Sequence, residues 1–241
     1  MRVLITRPNN RAGGTIAKLE ELGHEVAGFP LFEPVHDPVA VEAALAVPHA
    51  ALAISSAEAV RGLEHLGPAL TPHLGTRVFA VGKATARAAH AIGFSDVEVA
   101  SGSGLELGNL VLDHYASAGR AALPILYLAG EKRMGRFEKV LAENDVDCVV
   151  AESYRMEPII YSIEAQQAML VEVKADAVFF YSREAANAFF ELEIFRQSRE
   201  AIGKTLFLCL SRNIAEAVPE ELQNSVVASD NPDEDELIDL L

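Results

Sequence analysis

Short apolar runs alternate with longer segments of mixed polarity along the whole chain. Six of these runs stop at a Thr, Ser or Gly, and residues with a helical pattern follow; the runs are 3–5, 51–54, 78–81, 125–129, 178–181 and 206–210. Strands and helices that alternate in this way are typical of a parallel sheet covered by helices. The pattern therefore predicts an α/β fold.

The apolar pattern also indicates four further strands, less clearly than the six runs above. Three of them follow a helix directly, after Gly23, Gly93 or Asn144, residues that favour the left-handed position at a helix C-terminus. The fourth is the pair Val226 and Val227. Ten strands would make an unusually large single sheet. We therefore expect two parallel sheets of five strands each.

Two extended segments divide the chain into domains. Residues 29–38 carry three prolines at intervals of four, which excludes a helix, and residues 152–161 form a second extended candidate. Cutting at both segments predicts a discontinuous outer α/β domain of residues 1–33 plus 159–241. A central α/β domain would span residues 39–151, with connector segments at 30–38 and 152–158.

Composition and charge exclude several classes of partner. The chain has 241 residues, 20 Lys and Arg against 35 Asp and Glu, and a formal net charge of −15. Nucleic acids and anionic membrane surfaces bind basic fields, so we expect neither as a partner. No apolar run approaches the roughly 20 residues of a membrane span, and the first residues lack a signal-peptide pattern. Cys148 and Cys209 lie in apolar runs, which indicates buried free thiols in a reducing compartment. We expect a cytoplasmic protein.

The motifs of metal and nucleotide sites are missing from the sequence. There is no C-x-x-C, no H-E-x-x-H, no acidic calcium loop and no P-loop, and the seven histidines are scattered without paired ligand spacing. We read most of those histidines as surface or loop residues. The sequence therefore predicts no metal site.

The residues that follow the six strong runs are candidate ligand-binding residues. The small ones are Thr6, Ser55, Ser56, Gly82, Gly130, Ser182 and Ser211, and the cations are Arg7, Lys83, Arg133, Arg183 and Arg212. Helix capping accounts for the small residues. It does not account for cations at an end that is already electropositive. Ligands of parallel sheets bind outside the carboxyl ends of the strands, so these positions predict a site for a polyanionic small molecule. The acidic total then predicts that the cations gather at the strand ends and the acids cover the outer faces.

Several of these segments also resemble the motifs of a known family. They are residues 3–8, 55–60, 79–86 and 126–130, the segment through Tyr154 and Arg155, and residues 180–182. In order and spacing they are similar to the uroporphyrinogen-III synthase family over essentially the whole chain.

The resemblance implies an architecture and a reaction. The architecture is two flavodoxin-like domains joined by a two-stranded β-ladder connector. The reaction is that of a cyclising hydro-lyase, which closes the linear tetrapyrrole hydroxymethylbilane to uroporphyrinogen III in the cleft between the domains. Water is lost and ring D is inverted. The resemblance implies that no cofactor is needed. We expect a monomer, with only transient contact with the upstream bilane-forming enzyme.

The resemblance also implies roles for individual residues. The family's tyrosine in the returning segment corresponds to Tyr154, and a phenol, whose ordinary pKa is near ~10, is protonated at neutral pH and can donate to a departing hydroxyl. Thr85 and Ser182 match residues that hydrogen-bond the substrate. A tyrosine that packs the hinge, and hydroxyls that cap helices, are the alternatives. Ser211 to Ile214 departs from the Gly-x-Thr turn of the family, so no threonine role carries over there.

Two other classes of function stay open on the sequence alone. One is a non-catalytic, two-lobed module that binds a polyanionic small molecule such as a tetrapyrrole. The other is a different enzyme on the flavodoxin-like scaffold, since one fold hosts many chemistries.

Overall fold

The chain folds into two compact α/β units. The computed structural model describes residues 1–119, 122–172, 174–197 and 204–241. One unit is Met1–Glu33 together with Glu157–Leu241, and the other is Pro34–Met156. Within the described ranges, no helix is both long enough and apolar enough to span a membrane.

The first unit contains a five-stranded parallel sheet. Its strands are β1 (Arg2–Ile5), β2 (Glu25–Gly28), β9 (Ala177–Phe180), β10 (Leu206–Cys209) and β11 (Val226–Ala228). Across the sheet they lie in the order β11-β10-β9-β1-β2. Counted in chain order this is 2-1-3-4-5. The winding direction of the sheet therefore reverses between β1 and β9, which is where doubly wound sheets bind ligands.

The second unit has six strands, so the expectation of five was wrong for this sheet. They are β3 (Phe32–His36), β4 (Ala51–Ile54), β5 (Val78–Ala80), β6 (Val97–Val99), β7 (Ile125–Gly130) and β8 (Cys148–Pro158), in the order β3-β8-β7-β4-β5-β6. The additional strand, β3, comes from the proline-rich segment, which we expected to form a connector strand outside both five-stranded sheets. Pro34 is tolerated there because β3 is an edge strand and one side of its backbone needs no partner.

The five parallel strands of the second unit, β4 to β8, are ordered 3-2-1-4-5 in chain order. This differs from the flavodoxin-like order 2-1-3-4-5 that the resemblance implies for both domains, and it is the order of the other common doubly wound sheet. The two orders differ in where the third strand is added: here it lies beside the second strand, whereas in the flavodoxin-like order it lies on the other side of the first strand. Strand composition does not encode that choice. The reversal point here lies between β4 and β7.

Helices cover both sheets. Those of the first unit are α1 (Asn9–Glu21), α7 (Ile163–Gln167), α8 (Arg183–Phe190), α9 (Glu193–Gln197), α10 (Arg212–Ala215) and α11 (Glu234–Asp239). Those of the second are α2 (Pro38–Leu45), α3 (Ala57–Glu64), α4 (Lys83–Ala91), α5 (Gly104–Ala118) and α6 (Arg136–Glu143). Short 3-10 segments occupy Gly67–His73 and Glu220–Ser225, and a π-helical turn occupies Ala168–Glu172.

Each sheet is buried on both faces, as parallel strands require. In β1, Leu4 packs into one core cluster, while Val3 and Ile5 pack into another on the opposite face. In β4, Leu52 and Ile54 face one cluster, and Ala51 and Ala53 face the other. This alternation explains why the strands read as continuous apolar runs.

Candidate active site at the strand ends

The reversal point of the second unit carries the densest group of predicted site residues. Ser55 follows β4, and its backbone N–H donates to the carbonyl of Leu128 in β7 at 3.1 Å. Gly130 ends β7, and Tyr154 lies opposite it on β8. Ser55, Gly130 and Tyr154 therefore lie at the carboxyl edge of three neighbouring strands.

A register shift between β7 and β8 sets the position of Tyr154. Ala129 is opposite Glu152 and Gly130 is opposite Tyr154, so Ser153 is an additional residue in β8. Ser153 is fully buried, and its hydroxyl donates to the carbonyl of Ala129 at 3.1 Å. Bulges of this kind redirect side chains next to active sites. Here the bulge places Tyr154, instead of Ser153, beside Gly130.

The Tyr154 hydroxyl is held by the start of helix α3. Ser56 is the N-cap of that helix, and its Oγ accepts from the N–H of Ala59 at 3.1 Å. The same Oγ donates to Tyr154 Oη at 3.1 Å. Ser56 can supply the hydrogen of this bond, and in that arrangement the tyrosine hydroxyl presents its own hydrogen to another acceptor.

Gly130 provides the space for the Tyr154 ring. A Cβ atom on Gly130 would lie 2.9 Å from Tyr154 Cζ and 3.1 Å from Oη. Carbon atoms in contact are normally about 3.5–4.0 Å apart. The observed ring position therefore requires glycine at this strand end.

A cavity of about 640 Å³ opens beside Tyr154. Its charged lining consists of Asp37, Glu131, Arg133, Glu152 and Arg155, and its remaining lining of Val35, Ala40, Ala44, Val150, Ala151 and Tyr154. A volume of this size matches those of small-molecule sites. Tyr154 thus lines a space that is large enough for an organic ligand.

Most of the predicted cations at the strand ends are paired with acids, contrary to the expectation that the acids lie elsewhere. Arg133 donates to Glu138 at 2.6 Å and to Glu152 at 3.0 Å, and these bonds, the one to Glu138 first, raise its pKa. The other pairs are Arg7 with Glu234 at 2.5 Å, Arg183 with Glu216 at 3.1 Å and Arg212 with Asp230 at 3.1 Å. Lys83 is exposed and makes no ion pair within the described ranges. The cations therefore do not form an unopposed positive surface.

At the carboxyl edge of the first unit, Thr6 and Arg7 are already engaged. Thr6 is buried and donates through its hydroxyl to the carbonyl of Phe179 at 2.6 Å. The Arg7 guanidinium lies 4.3 Å from the centre of the Tyr181 ring and donates to Thr15 at 3.2 Å. Burial, and next the charge of Glu234, raise the pKa of Tyr181.

The remaining predicted residues lie at helix starts. Ser182 caps α8 by accepting from the N–H of Ala185 at 3.1 Å. Gly82 and Ser211 are the N-cap residues of α4 and α10, and neither cap makes a side-chain hydrogen bond. Thr85 is buried in the first turn of α4, with 3% of its surface exposed.

Two residues next to Tyr154 were missed by the sequence analysis. Glu58 is buried in the first turn of α3, and its Oε1 lies 2.9 Å from Nε2 of His36 on β3. The ring centres of His36 and Tyr154 are 6.3 Å apart. The sequence holds no signal for this group, because its members lie far apart along the chain.

Both cysteines are free thiols, but only Cys209 is as buried as predicted. Cys209 is buried and Cys148 is half-buried, and burial raises the pKa of each thiol to about 12. Among the residues that the structure describes, no group of three or more His, Cys, Asp or Glu could hold a metal ion.

Comparisons with known proteins identify the family. The family model described as uroporphyrinogen-III synthase HemD matches residues 14–239. A comparison with curated proteins finds no match.

Solved structures share the fold. The chain is similar to uroporphyrinogen-III synthetase from Helicobacter pylori, with 18% identity, 100% of this chain and 98% of that chain covered, and a TM-score of 0.64. It is also similar to a mutant uroporphyrinogen III synthase from Thermus thermophilus, with 22% identity, 100% and 97% covered, and a TM-score of 0.54. At these identities the similarity concerns the fold, while the family match extends over nearly the whole chain. The chain therefore belongs to the uroporphyrinogen-III synthase family.

Proposed function

We propose that this chain is a cyclising hydro-lyase that converts hydroxymethylbilane to uroporphyrinogen III, with Tyr154 as the acid for the departing hydroxyl. The observation that carries the proposal is the hydrogen bond between Ser56 Oγ and Tyr154 Oη at 3.1 Å, which fixes the phenol at the strand end and allows it to donate its hydrogen to a substrate oxygen. The cavity beside the ring supports it further.

The reaction requires one proton for the departing hydroxyl and control over the orientation of ring D. Tyr154 donates its proton as the hydroxyl leaves, so that water departs and an azafulvenium cation forms. Ring D is attacked at its substituted α-carbon, and the resulting spiro intermediate fragments and recloses with ring D inverted. One proton is lost from ring D on reclosure, which balances the proton that was donated and allows the phenol to be restored. Direct closure at the free α-position would give the type I isomer, so orientation in the site decides the product.

The finer features of the enzyme belong to the same proposal. We assign the first unit to the flavodoxin-like type on its 2-1-3-4-5 order. The chain passes from unit to unit within β3 and β8, which supports a connector role for these two strands. We further propose a cytoplasmic enzyme, with two free thiols in support, that acts as a monomer without a cofactor and contacts the upstream bilane-forming enzyme transiently.

Substrate interactions are proposed for the strand-end residues of both units. They are Thr6, Arg7, Ser55, Ser56, Gly82, Lys83, Thr85, Gly130, Arg133, Ser182, Arg183, Ser211 and Arg212. Those with acidic partners must exchange them for substrate carboxylates. Thr6 and Thr85 are buried and need a local movement to reach a ligand.

Isomer analysis tests the proposed activity. The purified protein is supplied with enzymatically generated hydroxymethylbilane, and the oxidised products are separated by isomer. Type III is expected from the wild-type chain. Type I alone, formed at the spontaneous rate, would show that the chain is not a synthase and would favour a non-catalytic binding module.

A tyrosine variant tests the proposed acid. Tyr154→Phe removes the donor but keeps the ring, and a lost general acid typically lowers a rate by about 10²–10⁴-fold. The matched control is Tyr161→Phe in the same returning segment, whose hydroxyl donates to the Pro30 carbonyl at 2.8 Å; it should retain the wild-type rate. A Tyr154→Phe variant that forms type III at the wild-type rate would refute the assignment.

A further inference from the structure

A buried carboxylate that contacts His36, a neighbour of Tyr154, is not used by the proposed chemistry. Glu58 has 1% of its surface exposed, although an isolated charge is costly to bury. It accepts from Arg61 Nη1 at 2.7 Å and lies 2.9 Å from His36 Nε2. Its place in the first turn of α3 is also favourable for an anion, because the helix N-terminus is electropositive.

The His36 side chain connects Glu58 to the tyrosine. His36 lies on edge strand β3 with 14% of its side chain exposed, and its ring centre is 6.3 Å from that of Tyr154 at an interplanar angle of 51°. On another side it meets the His65 ring, with centres 4.9 Å apart. Gly62 of α3 also lies against it, since a Cβ there would be in ordinary contact with His36 Cδ2 at 3.4 Å. The imidazole is therefore enclosed on several sides.

The first turn of α3 thus acts on Tyr154 by two routes. Ser56 holds the hydroxyl directly, and Glu58, two residues on, holds the ring that packs beside the phenol. Buried ion pairs are weak sources of stability, and apolar replacements of similar size often stabilise as well or better. Stability alone therefore does not explain a buried charge at this place, whereas the orientation of Tyr154 does.

We propose that His36 and Glu58 are positioning residues for Tyr154: the Glu58 carboxylate orients the His36 imidazole, and the imidazole holds the phenol in line with Ser56. The inference rests on the proposed role of Tyr154. It assigns neither residue a contact with the substrate.

A double-mutant cycle tests the proposal through activity. Glu58→Gln keeps the size of the side chain, and His36→Gln keeps an Nε2 donor but removes the ring. Each is expected to lower kcat for type III formation by about tenfold, as a small displacement of a catalytic group does, with KM changed less than about twofold. In a Tyr154→Phe background neither should lower the rate further, because there is no hydroxyl to orient. Equal losses in both backgrounds would show a merely structural role and overturn the proposal.

The matched control is an ion-pair group at the opposite edge of the same sheet. His114→Gln disturbs the cluster in which Arg77 donates to Glu98 at 2.8 Å and to His114 at 2.7 Å. It is expected to leave kcat unchanged.

A second readout needs no substrate and separates this inference from the proposed function. The chain has five tyrosines, so ¹³C-tyrosine labelling gives few ring signals, and Tyr154→Phe identifies the one from Tyr154. That signal should shift in His36→Gln and Glu58→Gln and stay in place in His114→Gln. An unmoved Tyr154 signal in both variants would overturn the inference even if the chain is a synthase. If the wild-type chain is inactive but the Tyr154 signal still shifts in the two variants, the result counts against the proposed function alone.

Discussion

The ring of Tyr154 fits its strand end only because a neighbouring residue has no side chain. Gly130 is opposite Tyr154 in the register of β7 and β8, and an added Cβ would lie 2.9 Å from Cζ. The backbone of Gly130 lies in a strand, so its own conformation does not demand glycine. Glycine is needed because the Tyr154 phenol approaches this position too closely for a Cβ atom to fit.

We therefore expect Gly130→Ala to displace the phenol. Overpacking of this kind typically costs about 1–3 kcal/mol of unfolding free energy, and the bond from Ser56 should be lost with it. Denaturant unfolding measures the first effect and the rate of type III formation the second.

Gly75→Ala is the matched control in the same unit, since no atom lies within 4 Å of the Cβ it would add. It should change neither quantity. If Gly130→Ala keeps both the stability and the rate, the clearance argument is wrong.

The resemblance alone identified Tyr154, because its motif is local in the chain. It could not identify His36, whose partner Glu58 is 22 residues away. Pairings of this kind depend on how β3 and α3 meet, which local pattern does not encode.

Helices α5 and α6 also pack through a glycine. A Cβ on Gly108 of α5 would lie 2.7 Å from Val140 Cγ1 of α6. Gly108 is buried, so the two helices approach each other more closely than a side chain would permit.

Gly108→Ala is expected to lower the unfolding free energy by about 1–3 kcal/mol, since one helix must move away from the other. Denaturant unfolding provides the measurement. In Gly14→Ala, within α1, the added Cβ has no atom within 4 Å, and a gain of about 0.5–1 kcal/mol is expected because alanine is the better helix former. Similar effects of the two substitutions would contradict the packing argument.

The proline-rich segment shows where reasoning about elements from sequence reaches its limit. The prediction that this segment is not helical holds for residues 29–37, but Pro38 begins helix α2, at a position where proline is tolerated. The segment could not reveal that Phe32–His36 belongs to the sheet of the second unit, because its place there depends on pairing with β8.

At the scale of the whole molecule, the net charge of −15 does not separate into basic strand ends and acidic outer faces. Acids pair with Arg7, Arg133, Arg183 and Arg212. These pairs use only a fraction of the 35 acidic residues, so the excess negative charge repels itself over the rest of the surface.

Moderate salt should therefore stabilise the fold. Raising the ionic strength from about 0.01 M to about 0.15 M shortens the Debye length from about 30 Å to about 8 Å. A gain of about 1 kcal/mol would raise Tm by about 2–4 °C for a chain of this size, as calorimetry can measure. Sodium and potassium chloride should act equally, since screening does not depend on the cation. A Tm that falls with salt would show that the surface ion pairs outweigh the repulsion.

The local pattern of residues along the chain was enough to establish one set of features. They include the alternation of strands and helices, the burial of the strands on both faces, the polar residues at the strand ends and the family motifs. These features can be recognised locally because helices and strands each repeat their apolar positions along the chain with a characteristic period.

Other features were visible only in the folded chain. They are the sixth strand and the strand order of the second unit, the acid partner of each strand-end arginine, and the group of Glu58, His36, Ser56 and Gly130 around Tyr154. Each of these depends on contacts between residues that are distant in the chain. Arg7 and Glu234 are 227 positions apart. Such contacts follow from how the strands and helices pack together, and the spacing of apolar residues along the chain does not reveal that packing.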